Sequence, residues 1–317
     1  MAANWMRRTV MVAACASAAL LAACGSSTTE SAITPQRFIA FGDAMSDVGQ
    51  NGSRYTVNDG SVNNWTLQVV ANYGKTLTPA SAGGTSYATG NARVSAKPDA
   101  AGNASTRTVT EQIDTFLAGG SFANTDVVIV SGGVSDVIAG MAAVTAGTQT
   151  EAAMVAAARK AGEDLAAQVR RLVAAGAKYV VVTGTYDLSK SPWAKSIGRE
   201  ALLTDASSRF NDGLLVGIVD LGANVLYVDS AYYVNLYTSV PGNYGFNNAT
   251  TAVCTSVDAT NGIGIGAGKV NSALCNSSTL LSGANQAAYV FADSVYLTPS
   301  AQRQFGTYAY DRLRARW

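Results

Sequence analysis

The residues best placed for chemistry fall in one stretch, Phe38-Ile39-Ala40-Phe41-Gly42-Asp43-Ala44-Met45-Ser46-Asp47-Val48-Gly49. Four apolar, strand-like residues run into Gly42-Asp43, a turn signal, and then into a short polar segment. Strand, turn and helix start in that order is where α/β hydrolytic enzymes expose a nucleophile at the end of a sheet. Attack on an acyl carbon needs a hydroxyl or thiol there, and the residue is Ala44. A general base of the usual kind is missing as well, because the chain contains no histidine.

Gly42-Asp43-Ala44-Met45-Ser46-Asp47-Val48-Gly49 looks like the first block of the GDSL (or SGNH) hydrolase family, whose usual form is Gly-Asp-Ser-Leu-Ser-Asp-x-Gly. Three further segments resemble the family's later blocks, in order and at approximate spacing, so the resemblance covers almost all of the chain from Arg37 onward. Gly83-Gly84-Thr85-Ser86-Tyr87-Ala88-Thr89-Gly90 is similar to the glycine block, in which a backbone N–H, placed here at Gly84, points into the oxyanion hole. Read from its residues alone, the same segment is a turn whose glycines supply positive φ. Gly132-Gly133-Val134-Ser135-Asp136 resembles Gly-x-Asn-Asp, with the shorter Ser135 hydroxyl where the family's Asn amide donates to the developing oxyanion. Phe291-Ala292-Asp293-Ser294-Val295-Tyr296-Leu297-Thr298-Pro299 resembles Asp-x-x-His followed by Leu/Pro-Thr. Asp293 stands where the resemblance puts the orienting acid, and Tyr296 stands at the base position.

A phenol with a pKa near 10 is a poor general base at neutral pH. Loss of nucleophile or base alone removes about 10⁶ of turnover in a serine hydrolase, and loss of one oxyanion donor about 10²–10³. Three departures at three blocks, on a frame that keeps its glycines and Asp43, Asp47, Asp136 and Asp293, are expected of natural loss of the triad. The resemblance then implies a catalytically inactive pseudo-esterase whose retained cleft binds an acylated or glycan ligand, with Tyr296 hydrogen-bonded to Asp293. Two alternatives stay open: an active ester hydrolase with a non-standard nucleophile such as Ser46, and an envelope interaction protein that uses the loop Asn235–Ala288, with Tyr237, Tyr244 and Phe246, as its partner surface. Ser46 also reads as a turn or cap residue, and Asp43 with Asp293 as a different acid/base pair. No cofactor is implied, and the lack of histidine disfavours a metal site.

The elements that must position these residues alternate. Phe38–Phe41, the β-branched run Asp126–Ser131, Tyr179–Thr183 and Val225–Val228 read as strands, the second and third buried on both faces. Trp65–Tyr73, Val109–Leu117, Glu151–Ala175, Ile197–Leu221 and Ala301–Leu313 read as helices. Strand and helix in alternation predict a three-layer α/β/α sandwich on a parallel sheet with right-handed crossovers, flavodoxin-like in plan, as in the SGNH hydrolases. A single domain over 37–317 is expected, with ligands bound outside the carboxyl ends of the strands.

With 317 residues, net charge +1 and 14% charged residues, the chain has neither the basic footprint of a nucleic-acid binder nor the composition of a disordered one. Arg7-Arg8 and the apolar run Val10–Ala23 read as a secretory signal. Leu21-Ala22-Ala23-Cys24 resembles a bacterial lipobox, implying cleavage before Cys24 and its lipidation. Gly25, which is not Asp, points to the outer membrane. Residues 24–36 are expected to be a flexible tether, roughly 18 Å r.m.s. as a coil, so that the membrane would be reached through the lipid anchor. Cys254 and Cys275 remain as a pair in an exported chain and read as a disulfide.

Overall fold

Runs of β-branched residues build the sheet. A computed structural model describes residues 33–262 and 264–317. The strands β1 (Arg37–Phe41), β2 (Asp126–Ser131), β3 (Tyr179–Thr183) and β4 (Val225–Tyr227) lie in the spatial order β1-β2-β3-β4, all parallel. Ile39 pairs with Val128, Val128 with Val180, and Val180 with Val225.

Alternate residues of each strand feed opposite layers, as the pleat dictates. Phe38, Ala40, Val127, Ile129, Val181 and Leu226 face α1 (Trp65–Asn72) together with the C-terminal helix Pro299–Arg316. Ile39, Phe41, Val128, Val130, Val180 and Val182 face the other layer. That layer holds α2 (Val109–Gly119), α3 (Val134–Thr145), α4 (Glu151–Ala174), α5 (Pro192–Ile197) and α6 (Glu200–Ile218). The remaining helices are α7 (Ser230–Ser239) and α8, the C-terminal helix already given. The architecture is the expected α/β/α sandwich.

Three local expectations need correction. The helix expected over 197–221 is two helices, because Gly198 at φ 62° ends α5 in a left-handed cap and α6 restarts at Glu200. Helix α3 was not foreseen; its N-cap is Gly133, which offers no capping side chain and so leaves no start signal in the sequence. The loop expected over 235–288 is largely structured. Within it lie the end of α7 and the strands β5 (Asn248–Ala252), β6 (Val257–Asp258) and β7 (Lys269–Val270); β5 runs parallel to β8 (Tyr289–Phe291) and β6 antiparallel to β7. Its aromatics are packing residues: Tyr237 and Phe246 are buried with ring centroids 5.3 Å apart, and Tyr244 sits 5.1 Å from Tyr237.

The signal and Cys24 lie outside the described residues, as does most of the expected tether. Its last residues are not free. Pro35 is buried, Ile33 packs against the α1–α8 layer, and the Gln36 N–H donates to the Thr125 carbonyl at 3.3 Å.

Candidate active site

The first block folds into a tight turn where β1 ends. The Gln112 side chain from α2 clasps the strand end, accepting from the Gly42 N–H at 2.8 Å and donating to the Gly42 carbonyl at 2.9 Å. Asp43 follows, 1% exposed, and its Oδ1 accepts from the Met45 N–H at 3.1 Å. Its Oδ2 has no hydrogen-bond partner among the described residues. Burial pushes the Asp43 carboxyl up to about 7; the Met45, Ser135 and Val134 amides oppose this, and the negative Asp136 adds to it. Ala44 is itself 1% exposed.

Asp47 ties the first block to the second. Its Oδ1 accepts from Gly49 and Gln50, and its Oδ2 from the Gly90 N–H at 2.7 Å. Gly84 does not serve as an oxyanion donor. Its N–H donates to the Pro79 carbonyl at 3.0 Å, and a Cβ there would sit 2.2 Å from the Thr78 carbonyl oxygen. Gly84 is a turn glycine chosen by close backbone approach.

The third block starts α3. Ser135 is fully buried and its hydroxyl is unpartnered. Asp136 accepts from the Val94 N–H at 3.0 Å and pairs with Arg93 at 3.4 Å. Burial raises it to about 6, against the pull of Arg93. Its work is to hold residues 93–94 against α3.

The fourth block differs from expectation at its centre. Asp293, fully buried, is filled by three main-chain donors: Ser272 at 2.9 Å, Val295 at 2.8 Å and Tyr296 at 2.7 Å. Burial raises its pKa, and these donors oppose the rise. The Tyr296 hydroxyl therefore does not bond to Asp293 and is unpartnered. Burial, then the negative fields of Asp43 and Asp293, push that phenol far above its ordinary value. It cannot accept a proton from a nucleophile at neutral pH.

Tyr55 was not foreseen in this site. Its ring centroid lies 5.2 Å from that of Tyr296. It also lies so close over Gly90 that a Cβ there would meet the ring at about 2 Å. The loop that carries Tyr55 is pinned by Thr56, whose hydroxyl donates to the Leu297 carbonyl at 2.8 Å, and by the Asn58 N–H on the Cys275 carbonyl at 2.8 Å. Cys254 and Cys275 form the expected disulfide, with Cα atoms 5.9 Å apart, and pack with Val57 and Ala292. In the sequence Tyr55 is one aromatic in a Gly-, Asn- and Ser-rich segment, and nothing there couples it to Tyr296.

Ser46 is fully buried on the α1 side, its Oγ accepting from Ser131 at 2.7 Å and from the Trp65 indole at 3.1 Å. No base stands beside it, so it is a packing residue. Asp43, Ala44, Ser135, Asp293 and Tyr296 are all buried; Asp43 feels Asp136, Tyr296 feels Asp43 and Asp293, and the Tyr55 ring stands against Tyr296 and over Gly90. No group of three or more His, Cys, Asp or Glu among the described residues is arranged to hold a metal ion.

The family model described as GDSL-like Lipase/Acylhydrolase matches residues 38–308. The chain belongs to that family. No curated protein matches it. A solved crystal structure is similar at 14% identity with a TM-score of 0.44, over 89% of this chain and 98% of its own.

Proposed function

We propose that this chain is a catalytically silent member of the GDSL family, a pseudo-esterase of the cell envelope that binds rather than hydrolyses. One observation carries the reading: where the family places nucleophile and base, this chain has a buried methyl and a buried phenol, with no histidine in the sequence to replace them. The burial of Ala44, 1% exposed, supports it further, since that position offers an ester no open approach. The rival reading, hydrolysis through Ser46, lacks both access and a base. The lipobox-like Leu21-Ala22-Ala23-Cys24 supports a lipid anchor at Cys24, and Gly25 after it supports the outer membrane. The ligand class favoured is an acylated molecule or a glycan.

Hydrolysis of short-chain p-nitrophenyl esters tests the silence. The full chain is expected to give no turnover above buffer. Ala44→Ser/Tyr296→His with Ser135→Asn and Tyr55→Ala is expected to give measurable turnover, because that set restores the three groups and removes the ring that stands against Tyr296. Turnover by the unaltered chain, retained in Ala44→Gly, would overturn the reading.

A further inference from the structure

Beside the buried corner lies an open cavity of about 830 Å³, within the range of small-molecule sites, roughly 300–1,000 Å³. One wall is α3, through Ile138, Met141, Ala142 and Thr145, spaced so that they share a helix face. The opposite wall is α5, through Trp193 and Ile197, and Ile265 closes the rim. Trp193 is docked to the fourth block by its N–H on the Ser294 carbonyl at 3.0 Å. The groove is thus framed by α3, which carries the third block, and by α5, which is docked to the fourth, yet Ala44, Ser135 and Tyr296 do not line it.

The lining is asymmetric. Its walls are mostly aliphatic or indole, with Thr145 and Asn261 as the neutral polar side chains; Ile138, Met141 and Trp193 are nearly buried, whereas Ile197 is left 40% exposed. Ile265 is at φ 60°, an uncommon conformation for a β-branched residue, and it lines this rim. The cation of the lining is Arg199, which stands just after α5. Its Nη1 contacts Glu151 at 2.9 Å, and both side chains are about half exposed, so that pair is weak and exchangeable. Among the described residues Nε and Nη2 donate no hydrogen bond.

We propose that this groove binds one chain of an anionic single-tail amphiphile, a fatty carboxylate, with the tail along α3 between Met141 and Trp193 and the carboxylate at Arg199. The apolar walls suit a methylene chain, and the charge at the mouth selects the free acid over an ester. The inference rests on the binding reading above and names the ligand class for it.

The test is calorimetric titration of the full chain carrying Cys24→Ser, which removes any competing acyl group, with dodecanoate, octanoate and dodecyltrimethylammonium. Saturable binding of one dodecanoate per chain is expected. Octanoate should bind more weakly, by two- to fourfold for each methylene removed. Ala142 is exposed on α3, so Ala142→Trp fills the groove without burying new bulk in the core; it should weaken dodecanoate at least tenfold with the unfolding midpoint unchanged. Arg199→Gln should weaken dodecanoate about threefold, the scale of an exposed ion pair, and leave dodecyltrimethylammonium unaffected. Non-saturable uptake, equal affinity for the cationic amphiphile, or indifference to Ala142→Trp would each overturn the proposal. Ester turnover by the unaltered chain would instead overturn the silent-enzyme reading, and the two failures are read in different assays.

Discussion

The buried corner and the open groove share α3, yet they treat polarity in opposite ways. The corner buries Asp43 Oδ2, the Ser135 hydroxyl and the Tyr296 hydroxyl without partners. Buried polar atoms without partners cost stability. The groove leaves aliphatic side chains facing water. The block frame is held by main-chain donors: Asp293 and Asp47 are each filled by backbone N–H groups.

If that contrast is right, changes in the frame of the corner should move stability strongly and changes in the groove hardly at all. Asp293→Ala strands three buried N–H groups and should lower unfolding free energy by roughly 3–5 kcal/mol in a denaturant titration. Removing the bridge with Cys254→Ser/Cys275→Ser should cost about 3 kcal/mol for a loop of 21 residues, and should loosen the Tyr55 loop packed on it. Exchange of the Asn58 amide, read by hydrogen exchange, checks the second part.

The third prediction concerns pH. Asp43 titrates near 7 when folded against 3.8 unfolded, so between about pH 4 and 7 the folded chain holds a proton that the unfolded chain has released. Stability should therefore fall as pH rises through that window, by on the order of 4 kcal/mol. Asp136, raised to about 6, adds to the same slope. Asp43→Asn should flatten the profile and raise stability at pH 8; an unchanged slope would mean that Asp43 is solvated.

Tyr296→Phe removes a hydroxyl that has no partner, and should be neutral or stabilise by up to about 1 kcal/mol. A loss of that size would show that the hydroxyl is bonded after all. Smallest of all, Ala142→Trp in the groove should shift stability by less than about 0.5 kcal/mol, as for an exposed site.

Much of this was legible in the chain itself. The runs Asp126–Ser131 and Tyr179–Thr183 are so uniformly β-branched that only a sheet covered on both faces suits them, and the layers follow. The four block-like segments, their order, and Ala44, Ser135 and Tyr296 within them are facts of sequence, as is the lack of histidine. Other features depend on atoms distant in sequence meeting in space. That Gly84 is spent on a turn follows from the approach of Thr78 and Pro79. That Asp293 is already filled by amides, leaving the Tyr296 hydroxyl alone, depends on Ser272 being brought to it by the disulfide-bearing loop. That Tyr55 stands against Tyr296 and over Gly90 depends on Thr56 reaching Leu297. Residue identity determined which side chains stand in each block; only packing decided that Ala44, Ser135 and Tyr296 are buried while the adjoining groove is open, because access is a property of surfaces assembled from several elements.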